Sequence, residues 1–231
     1  MTTALGTLHD GMGKGSRAST LTPGTIIDGK YRVERLIGKG GMGLVVEVTH
    51  VKLREPMALK LLRPEAAKRA TLVSRFQREA RAAVRIKSEH VARVSDVGAL
   101  ASGDPYMVME LLTGADLQQL CRERGPLPVG EAVEYVAQAC AGVEAAHALG
   151  VIHRDLKPGN LFLTRRADGS PLIKVVDFGV SKILEPEGER KEESLTSADG
   201  LLGSPLYMSP EQIRYAKGVD ARADVWSLGA I

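Results

Sequence analysis

At 231 residues, 44% apolar and 26% charged, the chain is long enough for one large domain or two small lobes with a real core. A formal net charge of +3 argues against a nucleic-acid partner, which calls for a concentrated basic face. No apolar run is long enough to cross a bilayer, and the leading MTTALGTLHDGMGKGSRAST lacks the apolar stretch of a secretory signal.

Residues 1–29 read as a flexible leader, rich in Gly, Ser and Thr over most of their length and free of periodicity. Gly11 to Ser16 imitates a phosphate loop, but Gly15 follows Lys14 where a Ser or Thr is needed. From Tyr31 to Ile37 and from Leu44 to Val51 apolar and polar residues alternate, so two strands are expected around a Gly-rich turn. Met57 to Leu62 reads as a third strand, and Pro64 can open a helix. Phe76, Ala80, Ala83 and Val84 recur at helical spacing through Lys87. Arg75, Arg78, Arg81, Arg85 and Lys87 accompany them and are expected to form a solvated face, with a homodimer through this region as a weaker option. Strand-like pieces follow near Ala92 to Gly98 and Tyr106 to Glu110. After Gly114 the character turns helical, with a long Ala-rich stretch from Val129 to Leu149 stopped by Gly150. Cys121 and Cys140 fall in the helical part, far from any metal-type spacing, and are expected to pack as buried thiols. Residues 185–200 are polar and charged and are expected to be mobile. Strands with one helix, followed mostly by helices, predict an α+β chain in two lobes.

The turn Gly38-Lys39-Gly40-Gly41-Met42-Gly43 lets the backbone come close to an anion. A strand after it, where a dinucleotide fold needs a helix, disfavours that fold. On the third strand Ala58 and Lys60 share one face and Leu59 and Leu61 the other. That face offers room for a flat ring and an ammonium for phosphates. Glu79 lies on the stripe of Phe76 and Ala83. It either pairs with Lys60 or reaches water, and the two readings stand level on these residues alone. His153-Arg154-Asp155-Leu156-Lys157-Pro158-Gly159-Asn160 gathers acid, base and amide within eight residues, and Asp177-Phe178-Gly179 begins seventeen residues after Asn160. Asn160 and Asp177 carry the hard oxygens that magnesium takes beside phosphates.

These motifs, in this order, resemble the eukaryotic-like serine/threonine protein kinases, most closely bacterial members, from about Tyr31 to the last residue. The resemblance implies a two-lobed α+β kinase-like fold, with a small β-rich lobe and hinge over 30–112 and a mostly helical lobe over 113–231, incomplete at its C-terminus. It implies that ATP lies under Ile37 to Val45, with Val45, Ala58, Met109, Glu110, Leu112 and Phe162 also contacting the nucleotide. Lys60, held by Glu79, would take the α- and β-phosphates. Asp155 would orient or deprotonate the substrate hydroxyl, Lys157 would neutralise the moving phosphoryl group, and Asn160 and Asp177 would hold magnesium or manganese. The implied partners are ATP and proteins with Ser or Thr, and the implied location is the cytoplasm, with a membrane anchor beyond the last residue compatible with it. Arg154 would receive a regulatory phosphate on Ser194, Thr196 or Ser197, of which Thr196 is preferred.

Some positions depart from the family pattern. Ser204 stands where a Thr is usual before the Pro, and Ser209-Pro210-Glu211 replaces Ala-Pro-Glu. The chain ends at DVWSLGAI, which resembles the central helix of the large lobe. The Arg that pairs with Glu211 in the family is absent, so a buried Glu211 is expected to cost about 3–5 kcal/mol. A truncated ATP-binding scaffold without catalysis is therefore the second reading. A small-molecule phosphotransferase is the third, with Lys157 and the Ser204 to Glu211 segment against it.

Overall fold

The computed structural model describes residues 22–40, 43–62, 67, 70–178, 205–214 and 219–231, without side-chain placement for Thr71, Leu72, Arg75, Arg78 and Glu79. Strands β1 (Ile26–Ile27), β2 (Tyr31–Gly40), β3 (Gly43–His50), β4 (Pro56–Leu62), β5 (Val94–Ala99) and β6 (Pro105–Glu110) form one antiparallel sheet in the order β1-β2-β3-β4-β6-β5. The period-two pattern decides its faces. Val33, Val46, Val48, Leu59, Leu61, Tyr106 and Val108 turn to one side and form a buried cluster. Leu62 and Met107 turn to the other, where Phe76, Ala80 and Ala83 of helix α1 (Ala70–Ala83) close a second cluster. Phe76 is wholly buried there, a contribution of about 2–3 kcal/mol from apolar area alone. The helix ends at Ala83, earlier than the spacing predicts. Beyond it Arg85 and Ile86 donate to carbonyls only three residues back, the tightening usual at a C-terminal turn. Arg81, Arg85 and Lys87 are exposed, as expected of a solvated face.

Residues 86–92 then cross to the helical part. Val91 makes a parallel bridge with Val175, and the His90 ring nitrogen Nδ1 lies 3.1 Å from the Ile173 carbonyl. The crossing is close because residue 142 of the facing helix is a glycine. A Cβ there would stand 2.5 Å from the His90 carbonyl oxygen, which no real side chain tolerates.

After β7 (Ala115–Asp116) come α2 (Leu117–Arg124) and α3 (Val129–His147). Asp116 caps α2 by accepting from the Gln119 N–H at 2.8 Å. Gly150, at φ 71°, follows the end of α3 as its stop signal predicts. Strands β8 (Leu161–Arg165) and β9 (Pro171–Val175) join β7 in a three-stranded antiparallel sheet of order β7-β8-β9. It packs on α3 through Tyr135, Ala139, Val143, Leu161, Ile173 and Val175. Helices α4 (Pro210–Arg214) and α5 (Arg222–Ala230) complete the described structure, and Leu228 of α5 joins the α3 core.

The structure corrects the expectation for both cysteines, since Cys121 and Cys140 are exposed. Cys140 sits on the flank of α3 and lines an open groove against Val225 and Leu228 of α5. Pro64 and residues 185–200 lie outside the described residues. No helix among those described is long and apolar enough to cross a membrane.

Candidate active site

Strand β4 keeps the alternation of its sequence. Leu59 and Leu61 enter the apolar cluster, while Lys60 faces the other way and is only 3% exposed. Its cross-strand neighbours are Val45 and Met107, and Ala58 stands opposite Met109. Val45, Ala58, Lys60 and Met109 therefore share one surface of the sheet. The glycine turn lies beside them, with Gly38 opposite Val45, Lys39 opposite Leu44 and Gly40 opposite Gly43. Ile37 and Lys39 are exposed, and Gly41 and Met42 lie outside the described residues. Gly43 must be glycine at this close approach, because a Cβ would fall 1.9 Å from the Leu61 carbonyl oxygen. Behind Met109 is a cavity of about 20 Å³, bordered by Ala83, Val94, Met107, Asp177 and Phe178.

The Lys60 ammonium donates to Asp177 Oδ1 at 2.5 Å, joining the sheet to the residue just past β9. Burial pushes the Asp177 carboxyl up, but the Lys60 charge and hydrogen bond, with His153 and Lys157, outweigh it and hold the group below the usual carboxylate range. Asp177 is thus an ionised hard-oxygen donor. It also adopts φ 64°, a left-handed conformation that costs a non-glycine residue about 1–3 kcal/mol unless its surroundings impose it. Glu79 is carried by α1 on the stripe of Phe76 and Ala80, and its side chain lies outside the described residues.

The second half of the site is the loop 153–160. Lys157 Nζ donates to Asp155 Oδ2 at 2.8 Å. Asn160 Nδ2 donates to the Asp155 carbonyl at 2.7 Å and to Oδ2 at 3.3 Å. That commits the Asn160 nitrogen to the loop and leaves its oxygen as the atom the amide offers elsewhere. The Val176 N–H donates to the Asn160 carbonyl at 3.0 Å, which sets Asn160 beside the residue preceding Asp177. His153, fully buried, places Nε2 2.8 Å from the Val176 carbonyl and meets the Phe178 ring edge-on at 4.9 Å. Asn160 and Asp177 suit a divalent cation that also binds phosphate oxygens. The described residues hold no cluster of three His, Cys, Asp or Glu that would retain a metal unaided.

Several residues that organise this site are not apparent in the sequence. Asp224, at the start of α5 and fully buried, accepts from the His153 and Arg154 N–H groups at 2.8 and 2.7 Å. His147 Nε2 lies 2.7 Å from the same carboxylate. Arg154 takes φ 66°, and these bonds hold it there. The Glu110 carboxylate accepts from the Arg93 N–H at 2.7 Å and from Lys174 Nζ at 2.8 Å. Lys174 is the cross-strand neighbour of Phe162, and Phe162 and Leu112 are half-buried. Glu211 is exposed, so the expected cost of burying its charge does not arise. Ser194, Thr196, Ser197 and Ser204 lie outside the described residues.

A protein kinase domain model matches residues 31–231. The serine/threonine-protein kinase pkn3 of Myxococcus xanthus is 40% identical over 208 residues, covering 90% of this chain and 38% of that protein. The serine/threonine-protein kinase PknB of Mycobacterium tuberculosis is 34% identical over 213 residues, covering 91% of this chain and 32% of that protein. The chain thus spans about a third of the length of these curated relatives. The crystal structure of the Mycobacterium tuberculosis PknI kinase domain superposes with a TM-score of 0.69 at 32% identity, over 90% of this chain and 74% of that one.

Proposed function

The chain belongs to the protein kinase domain family, and on that premise we propose that it transfers the γ-phosphate of ATP to Ser or Thr hydroxyls of proteins, its own activation segment among them. Residues 30–112 act as small lobe and hinge and 113–231 as large lobe, with ATP in the cleft between them. The observation that carries the reading is the convergence of two charge pairs, Lys60 with Asp177 at 2.5 Å and Lys157 with Asp155 at 2.8 Å.

In this reading the glycine turn from Ile37 to Val45 lies over the phosphates, and Lys60, steadied by Glu79, holds the α- and β-groups. Ala58, Met109, Leu112 and Phe162 enclose the adenine, and the backbone at Glu110 to Leu112 reads its edge. Asn160 and Asp177 would hold a divalent cation, magnesium or manganese, which supplies charge neutralisation to the phosphates. Asp155 receives the proton of the attacking hydroxyl while the new O–Pγ bond forms and the bond from Pγ to the ADP oxygen breaks. Lys157 balances the charge that gathers on the moving group. The transition state is loose, so placement and neutralisation do most of the work. Lys157 also favours Ser and Thr over Tyr as acceptors. Arg154 is the proposed receiver of a phosphate on Thr196, Ser194 or Ser197, and its buried Nε finds no hydrogen-bond partner among the described residues.

Intact-mass spectrometry after incubation with ATP and magnesium, beside Asp155→Asn, tests the proposal. Added phosphates on the parent and a rate about 10²–10⁴-fold lower on the variant are expected. A variant as fast as the parent would remove Asp155 from its role. A parent that binds nucleotide and never transfers it would leave only the scaffold reading.

A further inference from the structure

Gln212 of α4 is a primary amide only 1% exposed, in a helix otherwise turned largely to solvent. Its Nε2 donates to the Arg154 carbonyl at 2.9 Å, and its Oε1 accepts from the Ser209 N–H at 3.2 Å. The N–H of Arg154 goes the other way, to Asp224 at 2.7 Å. Arg154 is thus held from both sides, its N–H by α5 and its carbonyl by α4. Its φ of 66° is one that a non-glycine residue keeps only while its surroundings impose it. Asp155 is the next residue, so how the Arg154 carbonyl is held bears on the backbone from which its carboxylate reaches Lys157 and Asn160. The other end of the Gln212 amide is tied to Ser209, which ends the stretch from Pro205 that leads into α4.

We propose that the stretch 205–214 is where the acceptor peptide docks and that Gln212 is a positioning residue that couples it to the aim of Asp155 by holding the Arg154 carbonyl. The proposal rests on the kinase reading above and adds to it a line of communication. An ordered docking stretch keeps the glutamine on the carbonyl, and a displaced one withdraws it and lets Arg154 relax. Acceptor binding and catalytic competence are thereby linked through one amide rather than through the nucleotide pocket.

Two substitutions test this. Gln212→Met keeps length and burial and loses both hydrogen bonds. It should lower kcat about ten- to a hundredfold with KM for ATP unchanged. Gln212→Glu keeps an acceptor for Ser209, but when ionised it sets a bare oxygen against the Arg154 carbonyl. When protonated it can donate again, and burial raises the pH at which it does so. The ratio of its kcat to that of the parent should therefore recover severalfold between pH 8 and pH 6. A side chain that merely fills space would give a ratio independent of pH, and that result, or parent-like kcat in both variants, overturns the proposal. If Gln212→Met does not fold, the pH ratio of Gln212→Glu decides alone. If the parent transfers no phosphate, the kinase reading falls first and amide hydrogen exchange decides about Gln212. The Arg154 and Asp155 amides should exchange at least tenfold faster in Gln212→Met, with Ala139 to Val143 unchanged, and equal rates overturn the link.

Discussion

Replacing Asp224 with Asn is the sharpest test of how the 153–160 loop is held. The carboxylate takes three donors, the His153 N–H at 2.8 Å, the Arg154 N–H at 2.7 Å and His147 Nε2 at 2.7 Å, and the residue is fully buried. An asparagine of the same shape keeps one acceptor oxygen and turns an NH₂ towards a former donor. At least one buried N–H loses its partner, at about 1–3 kcal/mol, and the loss of charge assistance weakens what remains. A total of about 2–4 kcal/mol is expected, a large part of the 5–15 kcal/mol typical of a domain. For a chain of this size each kcal/mol moves Tm by about 2–4 °C, so thermal melting should fall by roughly 4–16 °C. Arg154 would also lose one of the bonds that hold its left-handed backbone, so kcat should fall more than KM for ATP rises. A variant that melts within a degree of the parent and keeps its kcat would refute the reasoning, because it would mean that the three contacts are made at no net gain.

Two further outcomes follow from the site. The Asp177 carboxyl is held below its ordinary value in the folded chain, so its pairing stabilises the fold fully above pH ~4, the unfolded value, and this is lost as pH falls through the folded one. The stability gap between the parent and Asp177→Asn in urea titrations should thus be level from pH 7 to pH 5 and shrink below pH 4, and a gap that widens on acidification would be inconsistent with the pairing. Lys174→Met leaves the Glu110 carboxylate with the Arg93 N–H but without its ammonium. It should lower stability by about 0.5–1 kcal/mol, visible as a small drop in Tm that Lys174→Arg reverses, and an unchanged melt for Lys174→Met would dismiss the tie.

What the sequence discloses depends on how far apart the interacting residues lie. The glycine turn, the face of Lys60 and the 153–160 loop were legible because each is a local pattern of a few residues, and the strand alternation around Lys60 appears in the fold as read. Asp224 and Gln212 were not, since their contacts reach back 70 and 58 residues. An acid in the first turn of a helix looks like an ordinary dipole partner for solvent, and nothing local says that it is buried. Glu211 was misjudged for the opposite reason. A pairing typical of the family was carried over together with the burial that goes with it, whereas Glu211 is exposed in the structure.

The crossing of residues 86–92 has a mechanical consequence. By sequence this segment belongs with the sheet, yet it is bolted to β9 and α3 through Val91, His90 and Gly142. Besides the side-chain pairs Lys60–Asp177 and Lys174–Glu110, the chain itself thus passes between the sheet with α1 and the helical part at two separated places, this one and the connection after Glu110. A door hung at one point can twist as well as swing, and one hung at two can only swing about the line that joins them. In the kinase reading, a rotation about that line is the motion these attachments would resist least, and it would draw Lys60 away from Asp177 along one arc.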